Sequence, residues 1–347
     1  MGTLRAVAAH AELESQTGAY VAAALAAPVI DAGRRDLAAL LGVEPGGVAF
    51  TESAATSLTA LLSSWPLSEG DTVAVVPSEW GPNLDDFSHR GLRIVSLETD
   101  GSGAVDLEAL QRFAAHTPPA FVHLTQVASH RPLVQPVADA AAICSQAGVP
   151  LWVDAAQALG HAETACGADV VYATSRKWLT GPRGVGVLAV SRPWWERMRL
   201  ASSALERTVM TPDTPPLRLL EAREAHIAGW VGLAHAVGEY LSAGPADVRA
   251  RLAEVGKVTR SVLAGLDGWS VVGDVDAASA ITALSPRNGQ DVPAARARLL
   301  SEHRIVTTMA HPARAPRDMT GPYLRVSPHV DCTEEDLVLL RDVLARM

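Results

Sequence analysis

Cysteine is scarce. The 347 residues hold three, Cys144, Cys166 and Cys332, odd in number and widely spaced. No CxxC pair is present, which excludes a zinc knuckle and a disulfide framework. A reducing cytoplasm is the natural setting for such a chain. No stretch approaches the roughly 18 continuous apolar residues of a membrane span, so none is expected. The first residues, "MGTLRAVAAHAELESQ", lack the charged and long apolar regions of a secretory leader. Lys/Arg runs are missing too. With 29 basic and 38 acidic residues the formal charge is −9, and such a surface repels nucleic acid and anionic membranes. Charged residues make up 19% and hydrophobic ones 48%, which excludes a disordered chain.

What is present is a regular alternation. The first ~45 residues are rich in Ala, Leu and Glu and read as helices, ended by "EPGG". "VAFT" (48–51), "DTVAVVP" (71–77), "LRIVSLE" (92–98), "AFVHLTQVA" (120–128), "VPLWVDAA" (149–156), "ADVVYATS" (168–175) and "GVGVLAVS" (184–191) read as strands. Helical stretches such as "SAATSLTALLSSW" and "VADAAAICSQAG" separate several of them. Several strands are nearly all apolar, as expected when helices cover both faces of a sheet. The alternation implies an α/β fold with a mostly parallel, doubly wound sheet. After about residue 192 a Pro-rich connection leads to a long helix. Mixed helices and strands follow from about 245, and the length fits one large core plus a smaller lobe. The last helix starts at Thr333. Asp336 stands three residues on, a loose fit to a capping box, which prefers Glu or Gln.

Four stretches carry candidate chemistry. In "TESAATSL" a strand meets a helix start built of the small residues Ser53, Ala54, Ala55 and Thr56, where unobstructed backbone amides can make an anion site. In "VDAAQALG", Asp154 ends a very apolar strand with Gln157 three residues on. A carboxylate there needs a partner or a raised pKa. In "TSRKWLTGPRGVG", Lys177 follows the next strand, flanked by Thr174 and Arg176. A phosphate-binding P-loop puts its glycines before the lysine, and here they come after. A lysine lodged in a site can instead form a Schiff base. In "LRVSPH", the guanidinium fork of Arg325 suits a carboxylate. Taken singly, each has a plain structural explanation: a helix capped by Ser53, a buffered strand-end Asp, a solvated loop, an ordinary salt bridge.

Taken in order, the four resemble the class V pyridoxal-phosphate enzymes of aminotransferase fold type I. That group holds cysteine desulfurases, kynureninase-like and isopenicillin-epimerase-like proteins. "VDAAQALG…TSRKWLTGPRGVGVL" carries the most specific part of the likeness and "LRVSPHVDCTEEDL" its end. The resemblance implies a seven-stranded large domain over 31–240, a helical segment over 1–30 and a smaller α+β domain over 241–347. It implies pyridoxal 5′-phosphate as cofactor, a small amino-acid substrate and a homodimer. Lys177 is then the lysine that links to the cofactor and moves the Cα proton. Asp154 pairs with the pyridinium nitrogen, making the ring an electron sink, and Gln157 lies near the ring's phenolic oxygen. Ala54, Ala55, Thr174 and Arg176 hold the phosphate. Gln126 takes the place of a ring-stacking His, and Arg325 clamps the substrate α-carboxylate. A Thr of the partner subunit reaches the phosphate, with Thr211 and Thr214 in "MTPDTPPL" as its candidates. Relatives also carry a segment ahead of the residue matched by Met1 that lines their active sites.

Desulfurases place a nucleophilic Cys shortly before the late Arg. The matching "TMAHPARAPRDMTGPYLRV" has none, so persulfide chemistry is not expected and β-elimination is. Within the class, "GAYVAAALAAPVIDAGRRDLAALLGV", "LTQVASHRPLVQP" and "REAHIAGWVGLAHAVGEYL" look most like the carbon–sulfur lyase branch of ergothioneine biosynthesis. Its substrate, hercynylcysteine sulfoxide, carries a trimethylammonium group suited to an aromatic face; Trp80, Trp178 and Tyr323 are candidates. An epimerase- or desulfurase-like enzyme and a non-catalytic relative are the alternatives, and the presence of both Lys177 and Asp154 argues against the last.

Overall fold

A computed structural model of the protein describes residues 2–201, 214–222 and 224–347. Two helices open the chain, α1 (Gly2–Thr17) and α2 (Ala19–Leu41). Gly42 ends α2 in the left-handed conformation (φ 71°), its N–H bonded to the Ala38 and Ala39 carbonyls, a glycine C-cap. A 3-10 turn over Pro45–Gly47 then feeds β1 (Val48–Thr51).

The large sheet adds β2 (Thr72–Val75), β3 (Arg93–Ser96), β4 (Phe121–Thr125), β5 (Leu151–Asp154), β6 (Val170–Thr174) and β7 (Gly186–Val190). Its spatial order is β1-β7-β6-β5-β4-β2-β3. Only β7 runs against the others, antiparallel to both β1 and β6. The helices α3 (Ala54–Ser64), α4 (Gly81–His89), α5 (Leu107–His116) and α6 (Val137–Ala147) cover it, joined by the longer α8 (Ile227–Ser242) after the single turn α7 (Arg192–Trp195).

Strand residues split between the two faces by alternation. Phe50, Val122, Leu124 and Val153 join the apolar cluster under α2, α6 and α8. Ala49, Phe121, Trp152, Tyr172 and Leu188 join the cluster under α3 and α4. There Trp152 stacks on Phe121 (centroids 3.9 Å apart) and meets Trp65 edge-on. Two dry faces explain why these strands read as continuous apolar runs. The fold is the mostly parallel α/β arrangement that the alternation implied.

The C-terminal part holds α9 (Pro245–Leu263), α10 (Val292–His303), α11 (Glu334–Leu344) and strands β8 (Trp269–Val271), β9 (Thr282–Pro286), β10 (Thr308–Ala310) and β11 (Tyr323–Val326). The strands form an antiparallel sheet of order β10-β11-β9-β8. At the start of α11, Thr333 and Asp336 do form a reciprocal capping box. The shorter Asp closes it by accepting the Thr333 N–H at 2.9 Å. Arg260 on α9 is fully buried and donates to the carbonyls of Val275, Ala277, Ser279 and Ile281, fastening that loop to the helix. Among the described residues no helix is long and apolar enough to cross a membrane.

Candidate active site

Because β1, β4, β5 and β6 run the same way, Thr51, Thr125, Asp154 and Thr174 end along one edge of the sheet. That edge is where open α/β sheets hold ligands. It opens into a cleft of about 800 Å³ whose walls include Ala54, Ala55, Asp154, Gln157, Thr174, Arg176, Lys177 and Arg325. Eight of the nine site residues expected from the sequence therefore meet in one place.

The anion cradle is the N-terminus of α3. Ser53 caps it by accepting the Thr56 N–H at 3.1 Å. The first amides of the helix, Ala54 and Ala55, have no intrahelical acceptor and no side chain beyond a methyl to block them. Gly186 of β7 lets this turn sit close: a Cβ there would lie 2.6 Å from the Ser53 carbonyl carbon.

Asp154 is buried. Its Oδ1 accepts from the Ala156 N–H at 2.8 Å and its Oδ2 from Asn83 Nδ2 at 3.1 Å. Burial raises its pKa, the opposing pull of Lys177 notwithstanding, and among the described residues it makes no ion pair. Behind it lies a buried polar chain. Asn83 Nδ2 also reaches Glu79 Oε1 at 2.9 Å, Glu79 meets His123 Nδ1 at 2.8 Å, and His123 Nε2 meets the Tyr172 hydroxyl at 2.8 Å. Thr125 and the Trp80 amide donate to the same Glu79 oxygen. Burial, the largest single cause, pushes the Glu79 pKa up, but His123, Thr125 and Asn83 together outweigh it and hold it low.

Lys177 sits in a turn between β6 and β7. The turn is drawn tight by the Thr180 amide on the Lys177 carbonyl (3.0 Å) and the Gly181 amide on the Ser175 carbonyl (2.9 Å). Thr180 takes a left-handed φ of 55° to do so, a local strain of the kind found at functional turns. Gly181 is required, since a Cβ would lie 2.8 Å from that of Ser175. Desolvation lowers the Lys177 pKa to about 8, helped by Arg325, Arg176 and Arg314 and opposed by Asp154. A lysine so placed is neutral often enough near pH 7 to act as a nucleophile or base.

Gln157 is oriented by Trp178, whose indole N–H donates to its Oε1 at 2.9 Å; the amide nitrogen is left for the cleft. Arg325 donates to the Ser129 carbonyl at 2.7 Å, while its buried Nε has no partner. Burial first, then Arg314, lowers its pKa to about 10.

The ninth residue, Gln126, is a correction. It is buried, does not line the cleft, and donates from Nε2 to the Glu163 carbonyl at 2.6 Å. Thr125 points toward Glu79 and the cleft, so the next residue of an extended segment turns away. Flat rings at the cleft wall come instead from Trp80, at the start of α4, and Trp178. Glu79 and Asn83 carry no motif in the sequence beyond "SEWGPN" following a strand, and nothing there marks Arg314. Of the three aromatic candidates, Trp80 and Trp178 line the cleft and Tyr323 does not. Trp178 lies between His161 and His329 (centroids 4.2 and 5.9 Å away). None of the three cysteines lines the cleft. Thr211 lies outside the described residues; Thr214 is half-buried before the 3-10 turn Pro216–Leu220.

The residues fit a phosphorylated pyridine aldehyde: an amide cradle for the phosphate, a buried carboxylate for a ring N–H, an aromatic wall, and a lysine of lowered pKa. Among the described residues no group of His, Cys, Asp and Glu suits a metal ion.

Comparison with known proteins places the chain in a family. Residues 7–340 match the family described as Aminotransferase class-V. The chain is 48% identical, over 98% of its length and 85% of the relative's, to a probable hercynylcysteine sulfoxide lyase of Mycobacterium tuberculosis (strain CDC 1551 / Oshkosh). Its fold matches the apo structure of a cysteine desulfurase from Thermococcus onnurineus NA1 with a TM-score of 0.82, at 21% identity and covering 93% of this chain and 84% of that one. It also matches the cystine C–S lyase C-DES in complex with cysteine persulfide, with a TM-score of 0.85 at 17% identity, covering 99% and 93%.

Proposed function

This chain belongs to the class-V aminotransferase family, uses pyridoxal 5′-phosphate and works as a carbon–sulfur lyase; from that premise we propose that its substrate is hercynylcysteine sulfoxide, cleaved by β-elimination. The relative of that name supports the substrate. The carrying observation is that Lys177, Asp154, the α3 amides and Arg325 converge on one cleft that no cysteine enters.

Bound there, the cofactor supplies a sink for the electron pair left when Cα loses its proton. Ala54, Ala55, Thr174 and Arg176 hold its phosphate. Asp154, kept in place by Asn83, keeps the ring nitrogen protonated. Arg325 fixes the α-carboxylate and so sets the Cα–H bond toward Lys177, whose Nζ takes the proton. The sulfur departs as a sulfenate, a better leaving group than a thiolate. The three-carbon fragment hydrolyses to pyruvate and ammonia, and a separate thiol reduction brings the sulfenate to ergothioneine. Gln157 donates near the ring oxygen. A cytoplasmic setting and a homodimer, with Thr211 or Thr214 of the partner copy at the phosphate, complete the reading.

The test is direct because the chain has two lysines, Lys177 and Lys257. Lys257 is exposed and paired with Asp276. Borohydride reduction of the holoenzyme is expected to fix the cofactor's mass on the peptide of Lys177 alone, and Lys177→Ala to lose the visible band of the lysine-linked form. Incubation with hercynylcysteine sulfoxide is expected to release pyruvate. Label on Lys257, or label on Lys177 without pyruvate, refutes the site or the substrate respectively.

A further inference from the structure

Arg314 lines the cleft, with Glu52, Asp86 and Arg183, and has no task in the scheme above. Arg314 lies on the 3-10 turn Pro312–Arg314, between β10 and β11, and its side chain forms part of the cleft wall. No carboxylate lies within ion-pair distance among the described residues. Its guanidinium carbon stands 5.5 Å from the Trp80 ring centroid. Burial lowers its pKa with no acidic group to offset it. A half-buried guanidinium left unpaired is costly unless something neutralises it in use.

The turn that carries it is firmly held. Asp318 accepts from His130 Nε2 at 2.6 Å and from Arg131 Nε at 2.7 Å, both on the large-sheet side. Gly81 at the start of α4 allows the closest approach: a Cβ there would lie 2.0 Å from the Ala313 carbonyl oxygen. The buried Ala315 and Met319 pack with Ala310. The fixed turn and the indole face thus hold an unpaired cation at the cleft wall, which also includes Ser129, whose buried hydroxyl has no partner.

We propose that Arg314, backed by Trp80, forms a second carboxylate subsite, so that the enzyme selects cysteine conjugates bearing an acid group on the sulfur-linked fragment. This rests on the lyase reading only in giving Arg325 to the α-carboxylate. A charge-assisted contact of about 1.5–3 kcal/mol corresponds to roughly a 10- to 150-fold preference.

The experiment uses an S-carboxyalkyl cysteine sulfoxide and the same compound with its terminal carboxylate replaced by a carboxamide. The wild-type holoenzyme is expected to favour the carboxylate by that factor in kcat/KM, mostly through KM. Arg314→Gln is expected to bring the ratio near unity, and Arg314→Lys to keep part of it. A ratio near unity in the wild type overturns the subsite. So does a ratio that Arg314→Gln leaves intact while lowering both activities, since that is the mark of a structural role. If neither compound is cleaved, the lyase reading fails by itself. The two are then compared as ligands through the shift each causes in the cofactor's absorbance, and the ratio of Kd values decides the subsite on the same terms.

Discussion

His161 shows how much one side chain can couple. Its Nδ1–H donates to the Gln157 carbonyl (2.9 Å), its Nε2 accepts the Ala280 N–H (2.8 Å), and its ring packs on Trp178. Those partners fix a neutral tautomer, and burial lowers its pKa from 6.5 to about 4. Between those pH values the unfolded chain binds the proton and the native one does not. Stability therefore falls as pH drops through that window, by about 3 kcal/mol for this group. We expect the stability advantage of wild type over His161→Asn, read from urea midpoints, to shrink from pH 6.5 to 4; a pH-independent difference contradicts the assignment. No motif marks His161 in the sequence, because its role depends on Ala280, 119 residues away. Lys177, Asp154 and Arg325 were legible because their neighbours are local: a strand end, a small-residue turn. Gln126 misled for the same reason, since one step along an extended chain reverses the side chain.

Among the elements, β1 is an edge strand, yet its outer side is not open to pairing. Arg34 of α2 donates to the Val48 carbonyl at 2.9 Å, and Glu221 accepts the Phe50 N–H at 3.0 Å. The two side chains pair at 2.6 Å, both nearly buried. This clip stands where a further strand would add. Removing the carboxylate charge strands Arg34 in the interior, so Glu221→Gln is expected to cost about 3–5 kcal/mol in urea unfolding; a loss below about 1 kcal/mol shows that the pair is solvated. The strands themselves were readable as apolar runs between turn residues. The reversed direction of β7 was not. "GVGVLAVS" is as apolar as its parallel neighbours, and only the short Lys177 turn, too brief for a crossover helix, hints at the reversal.

At the scale of the whole molecule, the surface of α1 and α2 leaves Leu4, Tyr20, Val21, Leu25 and Val29 exposed. Val21, Leu25 and Val29 are spaced to share one helix face. The proposed homodimer offers a second copy to cover such a stripe. Sedimentation of the holoenzyme is expected to give twice the 36.4 kDa chain mass, and Leu25→Asp to shift it toward one; a monomer in the wild type refutes the dimer. Within one chain, the site joins distant sequence. The register places Val48 of β1 opposite Ala189 of β7, so the phosphate cradle and the lysine turn become neighbours only across that pairing. This sets a clock on synthesis. At about 5–20 residues per second, roughly 7–30 s separate the emergence of β1 from that of its partner. For that interval the ribosome holds out an apolar strand with nothing beside it, and the nascent chain can neither bind its cofactor nor bury the strand that will cradle it.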